Sequence, residues 1–157
     1  GGTVIAFLGG IHYWWPKIFG KIYDETLGKI GAFLVFIGFN LTFFPQFILG
    51  ATGMPRRYSQ YAENQKGTEF PNKELWENLH ELSTYGSYVL LIAFLLIAYY
   101  LLRSIYSGRT AGSNPWGALT LEWTIPSPAP PHNFIKEPVY KHGPYAYDKV
   151  IAQKTIN

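Results

Sequence analysis

The sequence predicts an all-α membrane protein with two full transmembrane helices, the second half of a third helix and an extended, proline-rich tail. Only 15% of its 157 residues are charged, and two runs carry no formal charge: 26 residues between Lys29 and Arg56, and 21 between Glu81 and Arg103. As a helix rising ~1.5 Å per residue, each run can cross a hydrocarbon core of ~30 Å. Seven of the eleven prolines lie between residues 115 and 144. That density forbids a long helix there and favours extended chain.

Residues 1–16 are predicted to be the second half of a transmembrane helix. They are uncharged from the first residue, residues 12–15 form an aromatic belt typical of a membrane interface, and Pro16 closes the span. A signal peptide would show a basic head and a small-residue cleavage site, and neither is present in these residues. We therefore expect the sequence to be a piece of a longer polypeptide.

Charged residues set the other predicted boundaries and the orientation in the membrane. The loop after the first helix and the chain from Arg103 onward together carry nine lysines and arginines, whereas the excursion between the two full helices carries four. The positive-inside rule therefore puts loop and tail in the cytoplasm and the excursion on the outer side. The predicted segments are a cytoplasmic loop at 17–29, a transmembrane helix at 30–50, an outer loop at 51–81, a transmembrane helix at 82–106 and a cytoplasmic tail at 107–157.

Composition excludes several kinds of site. The chain has no cysteine, so disulfides, thiolate-bound zinc, iron–sulfur clusters and cysteine nucleophiles are excluded. The net charge of +3 is spread along the chain, without the basic run that nucleic acid demands. None of the four histidines pairs with another at i, i+4 spacing, and His80 is interpreted as an interface residue. We therefore predict no metal ligand in this chain.

One face of the helix at 30–50 could meet a ligand. Phe39, Thr42, Phe43 and Gln46 fall at spacings of three and four, so they share a face. Two polar groups on an aromatic stripe suit a flat, mostly apolar ligand with a few polar substituents, such as a porphyrin. The alternative is that the stripe packs against neighbouring helices and that the Thr42 hydroxyl bonds back to the Gly38 carbonyl.

The adjacent arginines Arg56 and Arg57 are the second candidate site. At a membrane edge such a pair can simply extend to lipid headgroups or solvent. However, Gly50, Gly53 and Pro55 precede the pair and favour a tight turn that fixes its direction. Guanidinium is always charged and binds carboxylates through two parallel hydrogen bonds, so a fixed pair suits the anionic groups of a cofactor.

Four strings of the sequence, taken in order, resemble a known family. They are GGIHYWWPK, GFNLTFFPQFILGATGMPRRY, YGSYVLLIAFLL and NPWGALTLEWTIPSPAPPHNF, and they are similar to the last part of subunit I of the haem–copper oxidases, in particular the bacterial aa3-type cytochrome c oxidases. The resemblance covers nearly the whole chain. It implies the second half of helix ten and helices eleven and twelve of a twelve-helix subunit.

The resemblance also implies a function and a set of cofactor contacts. In that family, electrons from cytochrome c pass through a low-spin haem to a high-spin haem and copper, where oxygen is reduced to water while protons are pumped. The pair Arg56 and Arg57 matches the arginines that engage the propionates of haem a and haem a3. Phe43, together with Thr42 and Gln46, matches the lining of the low-spin haem, and Phe39 is assigned to the same site because it lies on the same stripe.

The same resemblance implies that this chain holds no metal ligand and no catalytic residue. The family's haem-ligating histidines lie just upstream of the position matching Gly1, and the copper B ligands lie further upstream, with copper A elsewhere in the complex. The implied partners are the remainder of subunit I, subunits II and III, cytochrome c or a fused or associated cytochrome c domain, and membrane lipid, but no nucleic acid. The implied location is the bacterial plasma membrane, with the arginine loop on the periplasmic side.

Two other functions remain as alternatives. The chain could be a non-catalytic scaffold or accessory subunit of a respiratory complex, which would keep the helices without a cofactor contact. A small channel or transporter is poorly supported, because the charge-free runs of the two full spans place no charged side chain within the membrane. The arginine pair with its fixed approach distinguishes the oxidase hypothesis from both.

The first prediction concerns the chain purified alone. We expect no haem absorption band, because the residues that would ligate haem iron are expected outside this chain. An absorption spectrum of the isolated chain tests this, and a haem band at one haem per chain would contradict it.

Overall fold

The computed structural model describes residues 1–55, 57, 72–134 and 137–138. The described chain is mostly helical, and two of its helices, α2 and α3, are long and apolar enough to cross a membrane by length and composition. This confirms the predicted helical class and the two long apolar helices. The elements in chain order are α1 (Gly2–Phe19), β1 (Lys21–Ile22), α2 (Glu25–Ala51), α3 (Lys73–Ser107), β2 (Arg109–Thr110) and a short 3-10 helix (Leu121–Thr124).

Local signals set the helix boundaries between α1 and α2. Gly20 ends α1 in the left-handed region, at φ +65°, and its N–H donates to the Pro16 carbonyl over 2.9 Å. Glycine favours this cap because it has no Cβ. The carboxylate of Asp24 then accepts two N–H groups of the next turn, at 2.9 and 3.1 Å. This N-cap starts α2 at Glu25, inside the predicted loop at 17–29.

The helix α3 begins at Lys73, nine residues before the predicted start at residue 82. Residues 73–81 belong to the predicted outer loop, so that part of the loop is helical. The difference has a physical reason: charges such as Glu77 and Glu81 end an apolar membrane span, but they do not end a helix. The segment contains neither glycine nor proline, so nothing in it opposes the helix.

The chain divides into two compact units, one formed by residues 1–23 and 102–157 and the other by residues 24–101. In the second unit α2 packs against the part of α3 up to Leu101. The buried positions of α2 recur at intervals of three, four and seven residues. This spacing is typical of a seam between two helices whose axes cross at a small angle. The buried positions are Gly31, Val35, Gly38, Pro45 and Leu49, and α2 is continuous through Pro45.

Glycines let the two helix backbones approach closely. A Cβ on Gly86 of α3 would lie 2.5 Å from the Thr42 nitrogen, and a Cβ on Gly38 would lie 2.8 Å from the Leu90 nitrogen. Real Cβ atoms do not come so near to backbone. Small residues at such crossings are what allow transmembrane helices to gain van der Waals contact in lipid, where the hydrophobic effect between helices is absent.

In the first unit, one buried lysine organises the described part of the tail. Lys17 near the end of α1 is only 7% exposed. Its Nζ donates to the carbonyl oxygens of Ser113 at 2.7 Å, Ile125 at 2.5 Å and Pro126 at 3.4 Å. The same atom lies 5.0 Å from the ring centroid of Trp123. An ammonium has three protons to donate, so carbonyls and ring together compensate for the loss of water.

The charge state of Lys17 reflects two opposed influences. Burial lowers the pKa of this amine from its usual value, because removal from water disfavours the charged form. The nearby carboxylate of Glu122 acts in the opposite direction and favours the ammonium.

Further hydrogen bonds join the described tail to α1. Trp123 is 2% exposed, and its Nε1 donates to the Tyr13 hydroxyl over 2.7 Å. Trp116 Nε1 donates to the Tyr13 carbonyl over 2.9 Å. The antiparallel pair of β1 and β2 adds a short ladder, with Lys21 opposite Thr110. The tail residues that the structure describes therefore lie on protein surface, although their composition resembles that of an extended linker.

The helix crossing predicts a strong effect of Gly86→Ala. The added methyl would collide with the backbone of α2, and overpacking of this kind costs about 1–3 kcal/mol. We expect a lower unfolding temperature of the membrane subunit in detergent. The matched control is Gly50→Ala on α2, where an added Cβ meets no atom within 4 Å. That variant should be neutral or slightly stabilising, since alanine is the better helix former; equal effects of the two variants would contradict the packing argument.

The hydrogen bonds of Lys17 predict a local effect of the substitution Lys17→Met. Methionine keeps most of the side-chain volume but leaves buried carbonyls without a donor, at about 1–3 kcal/mol for each such group. We expect faster hydrogen exchange in residues 111–129. Lys29→Met is the control, because Lys29 is 75% exposed in its ion pair with Glu25 and such pairs contribute only ~0.5 kcal/mol. Unchanged exchange in the Lys17 variant would contradict the assigned role.

Candidate cofactor-binding site

The end of α2 leads into a tight turn that carries the candidate arginine. The Thr52 N–H donates to the Ile48 carbonyl over 2.9 Å, and the Met54 N–H reaches back to the Leu49 carbonyl over 3.0 Å. Gly53 between them has φ +80°, a conformation that favours glycine. These bonds satisfy carbonyls that the end of the helix would otherwise leave unpaired.

Arg57 is exposed and has φ +63°, in the left-handed region. For a residue with a long side chain this conformation costs on the order of 1–3 kcal/mol, and such residues cluster at sites where the geometry is used. The predicted partner, Arg56, lies outside the described residues. The backbone at Arg57 therefore has a conformation that an unconstrained arginine rarely adopts.

The start of α3 contacts this turn through two side chains that the sequence analysis did not assign to the site. Trp76 is 2% exposed, and its Nε1 donates to the Thr52 hydroxyl over 2.8 Å. His80, one helical turn later, places Nε2 at 3.2 Å from the Met54 sulfur. Trp76 and His80 share one face of α3 because they are four residues apart in a helix. The sequence does not reveal this relation, since it predicts residues 51–81 to be a loop.

The aromatic half of the predicted stripe lies together on α2. The rings of Phe39 and Phe43 have centroids 4.8 Å apart and are inclined by 42°. Phe43 is 44% exposed. A partly open aromatic pair can cover the face of a flat apolar ligand or of a neighbouring helix.

The polar half of the stripe bonds within the chain. The Thr42 hydroxyl donates to the Gly38 carbonyl over 2.6 Å, as the packing alternative predicted. The Gln46 amide donates to the Ser83 hydroxyl over 3.1 Å, and that hydroxyl donates to the Thr42 carbonyl over 2.7 Å. Of the two side chains, Gln46 therefore bonds across to α3, whereas the Thr42 hydroxyl bonds within α2 and only the Thr42 carbonyl accepts from α3. Their contact with haem stays a prediction.

No three histidine, aspartate or glutamate side chains group to hold a metal among residues 1–55, 57, 72–134 and 137–138. Within that part of the chain His12 bonds to the Leu8 carbonyl over 2.5 Å and meets the Tyr23 ring edge-on, with centroids 5.1 Å apart. His142 lies outside the described residues. The described site does offer an exposed guanidinium, that of Arg57, and an aromatic pair, Phe39 and Phe43, which fit an anionic, flat ligand in chemical type.

From Phe43 to the end of α2 at Ala51 the helix rises about 12 Å at ~1.5 Å per residue. A ligand that touched both the aromatic pair and the arginine turn would thus be large, with its apolar body beside α2 and its anionic groups at the turn. A porphyrin with propionates has this distribution of chemistry. The residues present fit it in type and order.

The sequence of the chain is similar to known proteins of one family. Residues 1–89 match the family described as Cytochrome C and Quinol oxidase polypeptide I. The chain is 42% identical over 142 residues to cytochrome c oxidase subunit 1 of Bacillus sp. strain PS3, covering 90% of this chain and 22% of that protein. It is 40% identical over 147 residues to the protein of the same name from Synechocystis, covering 94% of this chain and 25% of the relative.

A further relative is named as a combined subunit I+III. The heme-copper oxidase subunit I+III of Aeropyrum pernix is 41% identical over 141 residues, which is 89% of this chain and 16% of that protein. This chain spans a quarter or less of the length of these three relatives. The matched family segment contains α1, α2, the arginine turn and the first half of α3, and on this ground the chain belongs to the family of polypeptide I of the cytochrome c and quinol oxidases.

Proposed function

We propose that this chain is a segment of the catalytic subunit of a proton-pumping terminal oxidase, which oxidises cytochrome c and reduces oxygen to water. In this proposal the segment supplies haem-propionate contacts and helix packing, and the metal ligands come from elsewhere in the subunit. Haem and copper, when bound by the complete subunit, supply the electron transfer and the oxygen chemistry. The observation that carries the proposal is the exposed Arg57, with its strained backbone, just beyond the end of an aromatic-faced helix in a member of this family.

The role of the arginines follows from charge. A propionate taken out of water is costly unless a cation pairs with it, and a guanidinium offers two parallel donors that match its oxygens. A permanent positive charge near a haem also disfavours the oxidised form, which carries one more positive charge than the reduced form. Arg57, with Arg56 beside it in sequence, would therefore both hold the propionates and raise the reduction potential of the haem.

The aromatic pair and the helix crossing would supply the wall. Phe39 and Phe43 present an apolar surface that excludes water from a porphyrin face, which strengthens the charge interactions at its edge. The bonds from Thr42 and Gln46 into the crossing would keep that wall rigid. The glycine contact between α2 and α3 would determine how far the wall stands from the rest of the subunit.

The proposed setting is a bacterial plasma membrane. The remainder of subunit I, subunits II and III, lipid and a cytochrome c donor would be the partners, with haem a and haem a3 contacted here, copper B in the rest of the subunit and copper A elsewhere in the complex. Orientation follows from the excess of lysine and arginine in the loop and tail, which would lie in the cytoplasm. The arginine turn would then lie on the periplasmic side.

The test is Arg57→Leu in the complete enzyme. Removal of the charge should lower turnover and lower the midpoint potential of the contacted haem by about 59 mV, a tenfold change in the one-electron equilibrium. A spectroscopic redox titration measures this shift.

The control for this test is Arg57→Lys, which keeps the charge but loses the fork of donors. It should lower the potential less than Arg57→Leu does. Midpoint potentials that stay unchanged in the leucine variant would refute the propionate role and favour a scaffold without a cofactor contact.

A further inference from the structure

We infer that Trp76 and His80 of α3 are positioning residues, which set the direction of the Arg57 guanidinium by fixing the turn that carries it. This inference rests on the proposed role of Arg57 at a haem propionate. It adds two residues that touch no ligand themselves and that lie in a segment without a predicted role.

The turn needs support from outside. Within five residues, Gly53 and Arg57 both have positive φ, at +80° and +63°. Left-handed conformations of ordinary residues persist only where surrounding structure holds them. Among the described residues, the hydrogen bonds at the end of α2 involve residues 52–54, and the last of these residues is three positions before Arg57.

Trp76 fixes the first side of the turn. Its ring is buried, and indole N–H is a donor only, so the bond to the Thr52 hydroxyl has a defined direction. That hydroxyl in turn lies 3.0 Å from the Ile48 carbonyl and 3.1 Å from the Leu49 carbonyl, to which its single proton can be donated. Consecutive hydrogen bonds polarise one another. A chain of bonds thus joins α3 to the last turn of α2.

His80 fixes the other side. A thioether sulfur only accepts hydrogen bonds, so the 3.2 Å contact with Met54 is a hydrogen bond in the tautomer that carries its proton on Nε2. Met54 directly precedes Pro55, whose ring restricts its own φ and the conformation of Met54. Holding Met54 therefore restricts the path of the chain as it approaches Arg57. Trp76 and His80 contact the turn on either side of Gly53, its most permissive residue.

The experiment is a double-mutant cycle in the complete oxidase, read by the midpoint potential of the contacted haem. Trp76→Phe keeps the ring and removes the donor. We expect it to lower the potential in the same direction as Arg57→Leu, by a smaller amount. Because Trp76 acts through Arg57, we expect Trp76→Phe to cause no further lowering when Arg57→Leu is already present. His80→Leu should behave in the same way.

The control is Tyr85→Phe on the same helix. It also removes a side-chain hydrogen bond, from Tyr85 to Glu81 over 2.8 Å, but that bond contacts no part of α2. The midpoint potential of the contacted haem in the Tyr85→Phe variant should equal that in the unmodified enzyme. Should Trp76→Phe fail to assemble, as measured by haem per subunit, Thr52→Val removes the same bond from its acceptor side and should lower the potential equally.

The outcomes separate the inference from the proposed function. If Arg57→Leu lowers the potential while both Trp76→Phe and Thr52→Val leave it unchanged, the positioning role is refuted and the propionate role stands. The positioning role is also refuted if Trp76→Phe shifts the midpoint potential equally in the unmodified enzyme and in the Arg57→Leu variant, since equal shifts indicate a general structural effect. If Arg57→Leu itself changes nothing, the proposed function and this inference fail together.

Discussion

The close approach of α2 and α3 at Gly38 and Gly86 is the contact on which the candidate site depends. Only glycine permits the backbones to come so near, because a Cβ at either position would overlap the opposite main chain. The approach brings Ser83 within hydrogen-bond distance of both the Thr42 carbonyl and Gln46. It also directs the first turns of α3 past the end of α2, where Trp76 and His80 meet the arginine turn. In lipid, close packing of this kind replaces the hydrophobic effect as the source of helix association.

In the first unit, buried backbone carbonyls of the tail are satisfied by a side chain from a helix. Backbone carbonyls of an irregular, proline-rich chain cannot all bond to one another, since proline has no N–H to donate. Lys17 supplies the missing donors from a neighbouring helix, and Trp123 covers the charge. The buried ammonium of Lys17 therefore holds in place a segment of the tail whose composition alone favours extended chain. The arrangement also gives the tail a fixed path over the end of α1.

Sequence reasoning succeeded where one physical quantity dominated. Charge-free runs longer than a bilayer is thick identified α2 and α3, and turn-forming residues around Gly53 identified the approach to Arg57. It failed where the deciding partner was distant in sequence. The start of α3 was misplaced because charged residues end a span but not a helix. Trp76 was missed because its partner, Thr52, is 24 residues away. The hydrogen bonds of Thr42 and Gln46 also depend on the fold, because the Thr42 hydroxyl bonds within α2 and the Gln46 amide bonds to α3.

The sequence by itself determined the helical class, the two long apolar helices, the resemblance to the oxidase subunit I family and the position of the arginine turn. These follow from properties that a single residue or a short window carries: apolarity, charge, backbone preference and a specific string of residues. Only the tertiary structure decided that Lys17 is buried among tail carbonyls, that glycines let α2 and α3 touch, and that residues 73–81 are a helix supporting the turn. Those features depend on which distant groups meet, and the energy of a hydrogen bond or a close contact exists only once both partners are in place.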